Sequence, residues 1–163
     1  MKRFTQTNLS PGNCWQTSIA CILNVDPATL PDQIKIESNT TKKMFYSNAL
    51  NDYLELHHNL VYYEIYEWQF PGLRIAKPGW HTIVGTSVRT PTNNIWHCVV
   101  GRYGKIAWDP HPSRAGLVEV KHWGVIGAMT NSHRENRAWR REIECKNGLF
   151  VGCLCPICIK ERE

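Results

Sequence analysis

The sequence lacks the features that mark membrane, repetitive or strongly charged chains. No apolar run reaches the roughly 18 residues that a membrane-spanning helix needs, and there is no internal repeat or tract rich in glycine and serine. Charge of one sign is also scarce, because 19 Lys and Arg face 14 Asp and Glu and the basic residues form no long run. We therefore expect no membrane partner and no specific nucleic-acid partner.

The N-terminal region lacks the apolar centre of a secretory signal, since two basic residues are followed by the polar stretch FTQTNLSPGN. The expected location is therefore the cytoplasm. A chain of 163 residues, 42% of them hydrophobic, has the size and composition of a single folded domain. We predict one domain over residues 1–163, with a cysteine-rich segment at 145–158.

The seven cysteines are too unevenly placed for a disulfide framework. Four of them lie near the C-terminus with the spacing C-x7-C-x-C-x2-C, namely Cys145, Cys153, Cys155 and Cys158. Four thiolates can bind zinc tetrahedrally, but zinc ribbons usually present two C-x2-C arms and this segment has one. We favour buried thiols, predict no metal and no cofactor, and keep zinc as the alternative.

Hydrophobic periodicity places helices before strands. Apolar residues from Trp15 to Leu23 predict a helix that Asn13 caps and that ends near Asn24. The other predicted elements are a turn at 27–30, a polar loop at 31–40, a helix at about 41–57, strands at 60–66, 81–88, 95–101, 105–108 and 117–120, an exposed helix or loop at 131–142, and an apolar run at 149–155. Helices followed by an antiparallel sheet indicate an α+β fold.

Cys14 lies in the first turn of the first predicted helix. Unpaired backbone N–H groups and the positive end of the helix dipole stabilise a thiolate there, and the thiolate is the nucleophilic form of cysteine. The same N–H groups, together with the amide side chain of Gln6 or Asn13, could hold an oxyanion during acyl transfer. A helix start alone is weak evidence, because many cysteines near helix starts are inert.

A cysteine nucleophile also needs a base and a group that orients the base. If Arg102-Tyr103-Gly104 is a three-residue hairpin loop, His97 and Asp109 are direct cross-strand neighbours with Cβ atoms about 5 Å apart. Asp109 would then bind one ring nitrogen of His97 and leave the other for the thiol. Without Cys14, we would interpret this pair as two polar groups that merely satisfy each other on a half-buried sheet.

Two segments of the chain, GNCWQTSIACILNV and WHCVVGRYGKIAWDPHP, resemble known enzymes. The first resembles the Cys-Trp helix start of papain-like cysteine peptidases. The second is similar to the His-strand-hairpin-Asp-Pro unit of bacteriocin-processing peptidases and of small phage and bacterial papain-like proteins. The resemblance implies that Cys14 is the nucleophile, His97 the general base and acid, and Asp109 the orienting group. It also implies that Gln6 completes the oxyanion hole, with Asn13 as a substitute.

The resemblance further implies a papain-like fold, in which the nucleophile helix packs on an antiparallel sheet. The implied activity is that of a cysteine hydrolase, a peptidase or amidase that cleaves a protein or peptide-like substrate through a thioester acyl-enzyme. The implied source is a phage or a bacterium, and a phage protein would act in the host cytoplasm. Two alternatives stay open: an acyl or amide transferase on the same fold, and a non-catalytic binding module whose cysteine-rich tail binds a metal.

His111 stands close to the predicted pair in the stiff sequence Asp-Pro-His-Pro, which would hold it near the end of the hairpin. Two interpretations are open. His111 either contacts substrate at the cleft or is a surface histidine in a rigid turn. We favour the surface histidine, because the hairpin pairing selects His97 and not His111.

Overall fold

The computed structural model describes residues 1–38, 46–66, 79–90 and 95–135. In these ranges the helices precede the strands, except for a helical turn at 131–135 after the last strand. The helical elements are α1 (Cys14–Leu23), a 3-10 turn (Pro27–Thr29), α2 (Gln33–Glu37) and α3 (Tyr46–His58). The strands are β1 (Leu60–Tyr66), β2 (Trp80–Ser87), β3 (Trp96–Arg102), β4 (Lys105–Trp108) and β5 (Leu117–Ala128). The predicted α+β class is confirmed.

The five strands form one antiparallel sheet in the order β1-β5-β2-β3-β4. Helix α1 packs against β3 and β2, whereas α3 packs against β1. The predicted helix that begins near Cys14 therefore lies on an antiparallel sheet. No helix in the described ranges is long and apolar enough to cross a lipid bilayer.

The main core lies between α1, α3 and β1. Its buried members are Ile19, Ala20, Leu30, Tyr46, Leu50, Leu54 and Tyr62. Two hydrogen bonds cross this core: Trp15 Nε1–H donates to the Tyr62 hydroxyl at 3.1 Å, and that hydroxyl lies 2.8 Å from Thr82 Oγ1. Each large apolar side chain buried in this core contributes about 1.5–3 kcal/mol to the stability of the fold. The two hydrogen bonds join the first turn of α1 to β1 and β2.

Strand β5 is much longer than the predicted 117–120, and that prediction was wrong. β5 pairs with β1 on one side and β2 on the other, which makes it an interior strand. A Cβ atom at Gly124 would lie 1.8 Å from the Tyr62 hydroxyl oxygen and 2.3 Å from Thr82 Oγ1. Glycine is required there because the Tyr62 side chain crosses directly over β5. On sequence alone, this glycine and the polar Lys121 and His122 interrupt the strand pattern.

The predicted polar loop at 31–40 was also wrong in part, because it contains the short helix α2. Asp32 caps this helix by accepting a hydrogen bond from the Lys35 backbone N–H at 3.1 Å. The turn at 27–30 and the helix ending at Asn24 are confirmed. The cysteine-rich segment 145–158 and the apolar run 149–155 lie outside the described residues.

The β3–β4 hairpin has a two-residue loop and not the predicted three-residue loop. Arg102 pairs with Lys105, so Tyr103 and Gly104 form the turn, with φ angles of 52° and 74°. Positive φ at both turn residues is typical of the tightest hairpins, because it matches the right-handed twist of the strands. The register then shifts by one residue, and Val100 pairs with Trp108. The predicted cross-strand pairing of His97 with Asp109 is therefore wrong.

Candidate active site

His97 and Asp109 are nevertheless in contact. His97 lies in β3, while Asp109 is the first residue after β4, where the chain leaves the sheet. His97 Nε2 lies 2.7 Å from Asp109 Oδ1, and the two residues are 2% and 4% exposed. Asp109 also accepts the Gly116 backbone N–H on Oδ2 and the His111 backbone N–H on Oδ1, both at 2.8 Å. These bonds orient the carboxylate toward the ring without any strand pairing.

Burial and hydrogen bonding act in opposite directions on this pair. Burial lowers the pKa of His97, but the hydrogen bonds to Asp109 and Cys14 and their negative charges outweigh it and raise that pKa to about 9. Burial raises the pKa of Asp109, but the His97 ring and the Gly116 N–H outweigh it, so the net shift is downward. His97 is therefore a cation and Asp109 an anion at neutral pH.

Cys14 is the first residue of α1 and completes the cluster. Its Sγ accepts the Cys98 backbone N–H at an N-to-Sγ distance of 3.4 Å, and the side chain packs against Val84 and Cys98. The Cys14 side chain is also one of the groups that raise the pKa of His97, so the two side chains are neighbours. Because Nε2 of that ring binds Asp109, Nδ1 is the nitrogen that remains for another partner. The structure thus brings Asp109, His97 and Cys14 into one cluster.

The start of α1 is capped by a distant side chain that sequence reasoning missed. Asn13 occupies the predicted N-cap position but makes no capping hydrogen bond. Instead, Gln33 Oε1 from α2 accepts the backbone N–H groups of Trp15 and Gln16, both at 3.1 Å. The Cys14 N–H has no acceptor among the described residues, so it is the helix-start donor left for an oxyanion. No local sequence signal identifies Gln33, because a remote cap depends on tertiary packing.

The two amide side chains considered for the oxyanion hole both bind the loop before α1. Gln6 Nε2 donates to the Asn8 carbonyl at 2.8 Å, and Gln6 Oε1 is buried with no hydrogen-bond partner within the described ranges. Asn13 Nδ2 donates to Thr7 Oγ1, while Asn13 Oδ1 accepts the Asn8 backbone N–H, both at 3.2 Å. Each NH₂ group has a second N–H, so one donor remains on each side chain. The Cys14 N–H is the donor that the fold places beside the thiol.

His111 lies closer to the cluster than a histidine confined to a surface turn would. Its ring centroid is 6.2 Å from that of His97, and the two rings are nearly perpendicular, at 88°. Its backbone N–H binds Asp109, and its side chain is only partly exposed. His111 therefore contacts both members of the His97–Asp109 pair.

Another buried histidine, His122, which sequence reasoning missed, lies on the side of the sheet that faces α1. His122 is 1% exposed, and among the described residues neither of its ring nitrogens has a hydrogen-bond partner. Its ring packs against Tyr66, Trp96 and Trp15, at centroid distances of 4.7, 5.7 and 6.3 Å. Burial lowers the pKa of His122 and outweighs the negative charge of Glu64. This histidine is therefore neutral at neutral pH.

Within the described residues, no group of three or more His, Cys, Asp or Glu side chains is placed to hold a metal ion. The four cysteines weighed as zinc ligands lie beyond those residues. Comparison of the chain with models of protein families, with curated proteins and with solved structures found no match in any of the three. Function must therefore be inferred from the geometry of the cluster itself.

Proposed function

We propose that this protein is a cysteine hydrolase, a peptidase or amidase with a papain-like arrangement of Cys14, His97 and Asp109. The observation that carries the proposal is the buried 2.7 Å contact between His97 and Asp109, with the Cys14 thiol beside it on the backbone N–H of Cys98, the residue that follows His97. A self-satisfied polar pair would not need a thiol at a helix start beside it. The substrate class follows from the chemistry, because a thiolate with a protonated imidazole cleaves amide bonds through a thioester.

The proposed reaction begins when the Cys14 thiolate attacks the carbonyl carbon of an amide. The new C–S bond gives a tetrahedral oxyanion, and the Cys14 N–H donates to that oxygen. The C–N bond then breaks, and the departing amine takes the proton from His97 Nδ1. The product of this half is a thioester on Cys14 and a neutral His97.

Water completes the cycle. It attacks the thioester carbonyl while His97 Nδ1 accepts one of its protons, and the C–S bond breaks to release a carboxylic acid. The thiolate and the protonated imidazole are thereby restored. Asp109 stays deprotonated throughout and orients the His97 ring so that Nδ1 faces the Cys14 sulfur.

Acyl-enzyme formation tests the proposal without knowledge of the natural substrate. The protein is mixed with p-nitrophenyl acetate, and acetylation is mapped by peptide mass on Cys14, Cys21 and Cys98, which are all buried. We expect rapid acetylation of Cys14 alone and its loss in Cys14→Ser, with Cys21→Ser as the matched control. Acetylation of Cys14 no faster than that of Cys21 would contradict the proposal and favour the binding-module alternative.

The fate of the acetyl group separates hydrolysis from transfer. For a hydrolase, water removes the acetyl group from Cys14 at a rate that low concentrations of added amine do not change. For the acyl or amide transferase, an amine outcompetes water and acetylated amine accumulates. The same sample, analysed for acetate and for acetylated amine, gives the ratio directly.

A further inference from the structure

The Asp109 carboxylate is held by the loop that follows it and not by the sheet. Its Oδ1 accepts the backbone N–H of His111 and its Oδ2 accepts that of Gly116, both at 2.8 Å. Both donors belong to the segment 110–116, which joins β4 to β5. The position of the carboxylate beside His97 therefore depends on the conformation of this loop.

Arg114 ties the far part of this loop back to its start. Its Nη1 donates to the backbone carbonyls of both Asp109 and His111, and its own backbone N–H donates to the same His111 carbonyl at 3.0 Å. A guanidinium carries several N–H donors in one rigid plane, so a single side chain can bind two carbonyls at once. The hydrogen bonds that close the loop thus start from Arg114.

The Arg114 side chain is itself fixed from two further directions. Its guanidinium lies 3.8 Å from the centroid of the Trp108 ring, and its Nη2 donates to Thr5 Oγ1 at 2.8 Å. The Gln6 backbone N–H donates to the Pro110 carbonyl at 2.9 Å, so the N-terminal segment also binds the loop. A side chain that is already held on a ring and a hydroxyl loses little further rotamer freedom when it binds the loop carbonyls.

We propose that Arg114 is a positioning residue for the proposed reaction, which closes the loop so that the His111 and Gly116 N–H groups hold the Asp109 carboxylate on the His97 ring. This inference rests on the proposed function. Arg114 is exposed, and water screens its charge, so its effect comes from geometry. A loosened loop lets the carboxylate turn away, and the imidazole then loses the partner that keeps it protonated and oriented.

Arg3 offers a matched control on the same aromatic ring. Its guanidinium also lies over Trp108, at 5.1 Å from the ring centroid. Among the described residues, no hydrogen bond joins Arg3 to the segment 110–116. Arg114→Met and Arg3→Met each remove one cation from Trp108 and keep an unbranched side chain, but only Arg114→Met removes the hydrogen bonds to the loop.

The first measurement is the pH at which the His97 imidazole titrates, followed by NMR, since a general packing role would not change it. We expect Arg114→Met to lower this midpoint by about one pH unit, a tenfold weaker hold on the proton, because a fixed opposite charge is worth about 1–3 units. Arg3→Met should titrate like the parent. An unchanged midpoint in Arg114→Met overturns the inference, as does an equal shift in both variants.

The second measurement is the rate of Cys14 acetylation by p-nitrophenyl acetate. It should fall about threefold to tenfold in Arg114→Met, because His97 is correctly oriented for less of the time, and it should not change in Arg3→Met. If the parent forms no acetyl-Cys14, the proposed function fails and Arg114 has no reaction to serve. Acetylation of the parent with no difference between the parent and Arg114→Met overturns this inference alone.

The claim that Arg114 acts through Asp109 is tested by a double-mutant cycle. In Asp109→Asn the titration midpoint of His97 is already lowered, and adding Arg114→Met should lower it no further, because the charged acceptor is absent. A second shift as large as that in the parent background overturns the inference, since Arg114 would then act on His97 by another route.

Amide hydrogen exchange needs only the milder variant Arg114→Lys, which keeps the charge but cannot bind both carbonyls in one plane. The Gly116 N–H should exchange faster in Arg114→Lys than in the parent, because its loop is less well held. The Tyr62 N–H is the control, since it also donates to a side chain, that of Asn51, and lies on the opposite edge strand of the sheet. Unchanged exchange at Gly116, or an equal increase at Tyr62, contradicts the inference.

Discussion

His97 and His122 are two histidines of the same sheet with nearly equal burial, 2% and 1% exposed, and with opposite electrostatics. Burial opposes the charged form of both rings. His97 overcomes this through Asp109 and Cys14, and its pKa rises to about 9. His122 has no partner for either nitrogen in the part of the chain that the structure describes, and its pKa falls. The difference teaches that burial alone does not decide the charge of a histidine, because a fixed carboxylate beside the ring keeps His97 protonated.

The same difference separates the proposed catalytic role from a packing role. His97 can donate a proton near neutral pH because Asp109 holds it charged and oriented. The His122 ring contacts the ring of Trp15, which follows Cys14, and that of Trp96, which precedes His97. We interpret His122 as a structural residue. The predictions below test this division, starting with the largest expected effect.

The two histidines should differ most in acylation of Cys14. We expect His97→Ala to slow acetylation by p-nitrophenyl acetate by about 10²–10⁴-fold, the usual contribution of a general base or acid. His122→Phe, the matched control, should leave the rate within about threefold, because a ring of similar size keeps the aromatic packing. The rates are followed by release of nitrophenolate. A similar loss in both variants would mean that packing, and not the imidazole of His97, supports the thiol.

Direct titration should place the two rings on opposite sides of the ordinary histidine pKa of about 6.5. In NMR titrations of the imidazole protons, His97 should titrate near pH 9 in the parent. Asp109→Asn should lower that pKa, because it removes both a charge and an oriented acceptor, and it should leave His122 unchanged. A His97 that titrates at the same pH in both proteins contradicts the assigned role of Asp109.

The sign of this effect on stability follows from linkage. Because the pKa of His97 is raised in the folded state, its contribution to stability is complete below about pH 6.5 and is lost as pH rises through about 9. Asp109→Asn should remove this alkaline loss. It should also destabilise the fold at neutral pH by about 1.5–3 kcal/mol, since a buried charged acceptor is lost. Urea unfolding at pH 7 and at pH 9.5 measures both effects.

His122 should respond to pH in the opposite direction. Because its pKa is lowered in the folded state, the unfolded chain binds the proton more readily, and stability falls as pH drops below about 6.5. His122→Phe should therefore stabilise the protein, by about 1–2 kcal/mol at pH 7 through removal of two unpaired buried nitrogens. The gain should be larger at pH 5. Urea unfolding of both proteins at the two pH values tests this, and a destabilised variant with no pH dependence would show that His122 has a partner in solution.

The smallest effect concerns the helix on which Cys14 lies. Gln33→Ala should cost about 1 kcal/mol of stability, the usual value of an N-cap, because Trp15 and Gln16 lose their acceptor. Glu37→Ala is the matched control, since Glu37 binds the other end of the Gln33 side chain and not α1. It should have a smaller effect. Thermal unfolding of both variants measures the loss of stability. Equal losses in Gln33→Ala and Glu37→Ala would mean that Gln33 stabilises α2 and not the start of α1.

Local signals predicted most of the elements around the candidate site. The apolar spacing from Trp15 to Leu23 and the left-handed Asn24 defined α1, and β1 and β4 have the predicted limits. The contact of His97 with Asp109 was predicted from a register that proved wrong. It survives because Gly116 and the turn after β4, rather than the ladder, set the position of the Asp109 carboxylate.

The features that the sequence did not reveal all depend on long-range packing. Strand β5 contains Gly124 because the Tyr62 side chain crosses over the strand at that position and leaves no room for a Cβ atom. No local sequence pattern predicts that crossing. Gln33 caps α1 from another helix, and His122 is buried by aromatic side chains from α1, β1 and β3. Propensity and periodicity describe neighbours along the chain, whereas these contacts are made across the fold.

The most direct test of the central claim is the pH dependence of Cys14 alkylation by iodoacetamide, in the parent and in His97→Ala, with Cys21 and Cys98 as buried internal controls. Cys14 and His97 form a reactive pair in this account. We therefore expect Cys14 of the parent to react much faster than both controls at mildly acidic pH, and to lose that advantage in His97→Ala. A Cys14 that reacts no faster than Cys21, with a profile that His97→Ala does not change, would contradict the account.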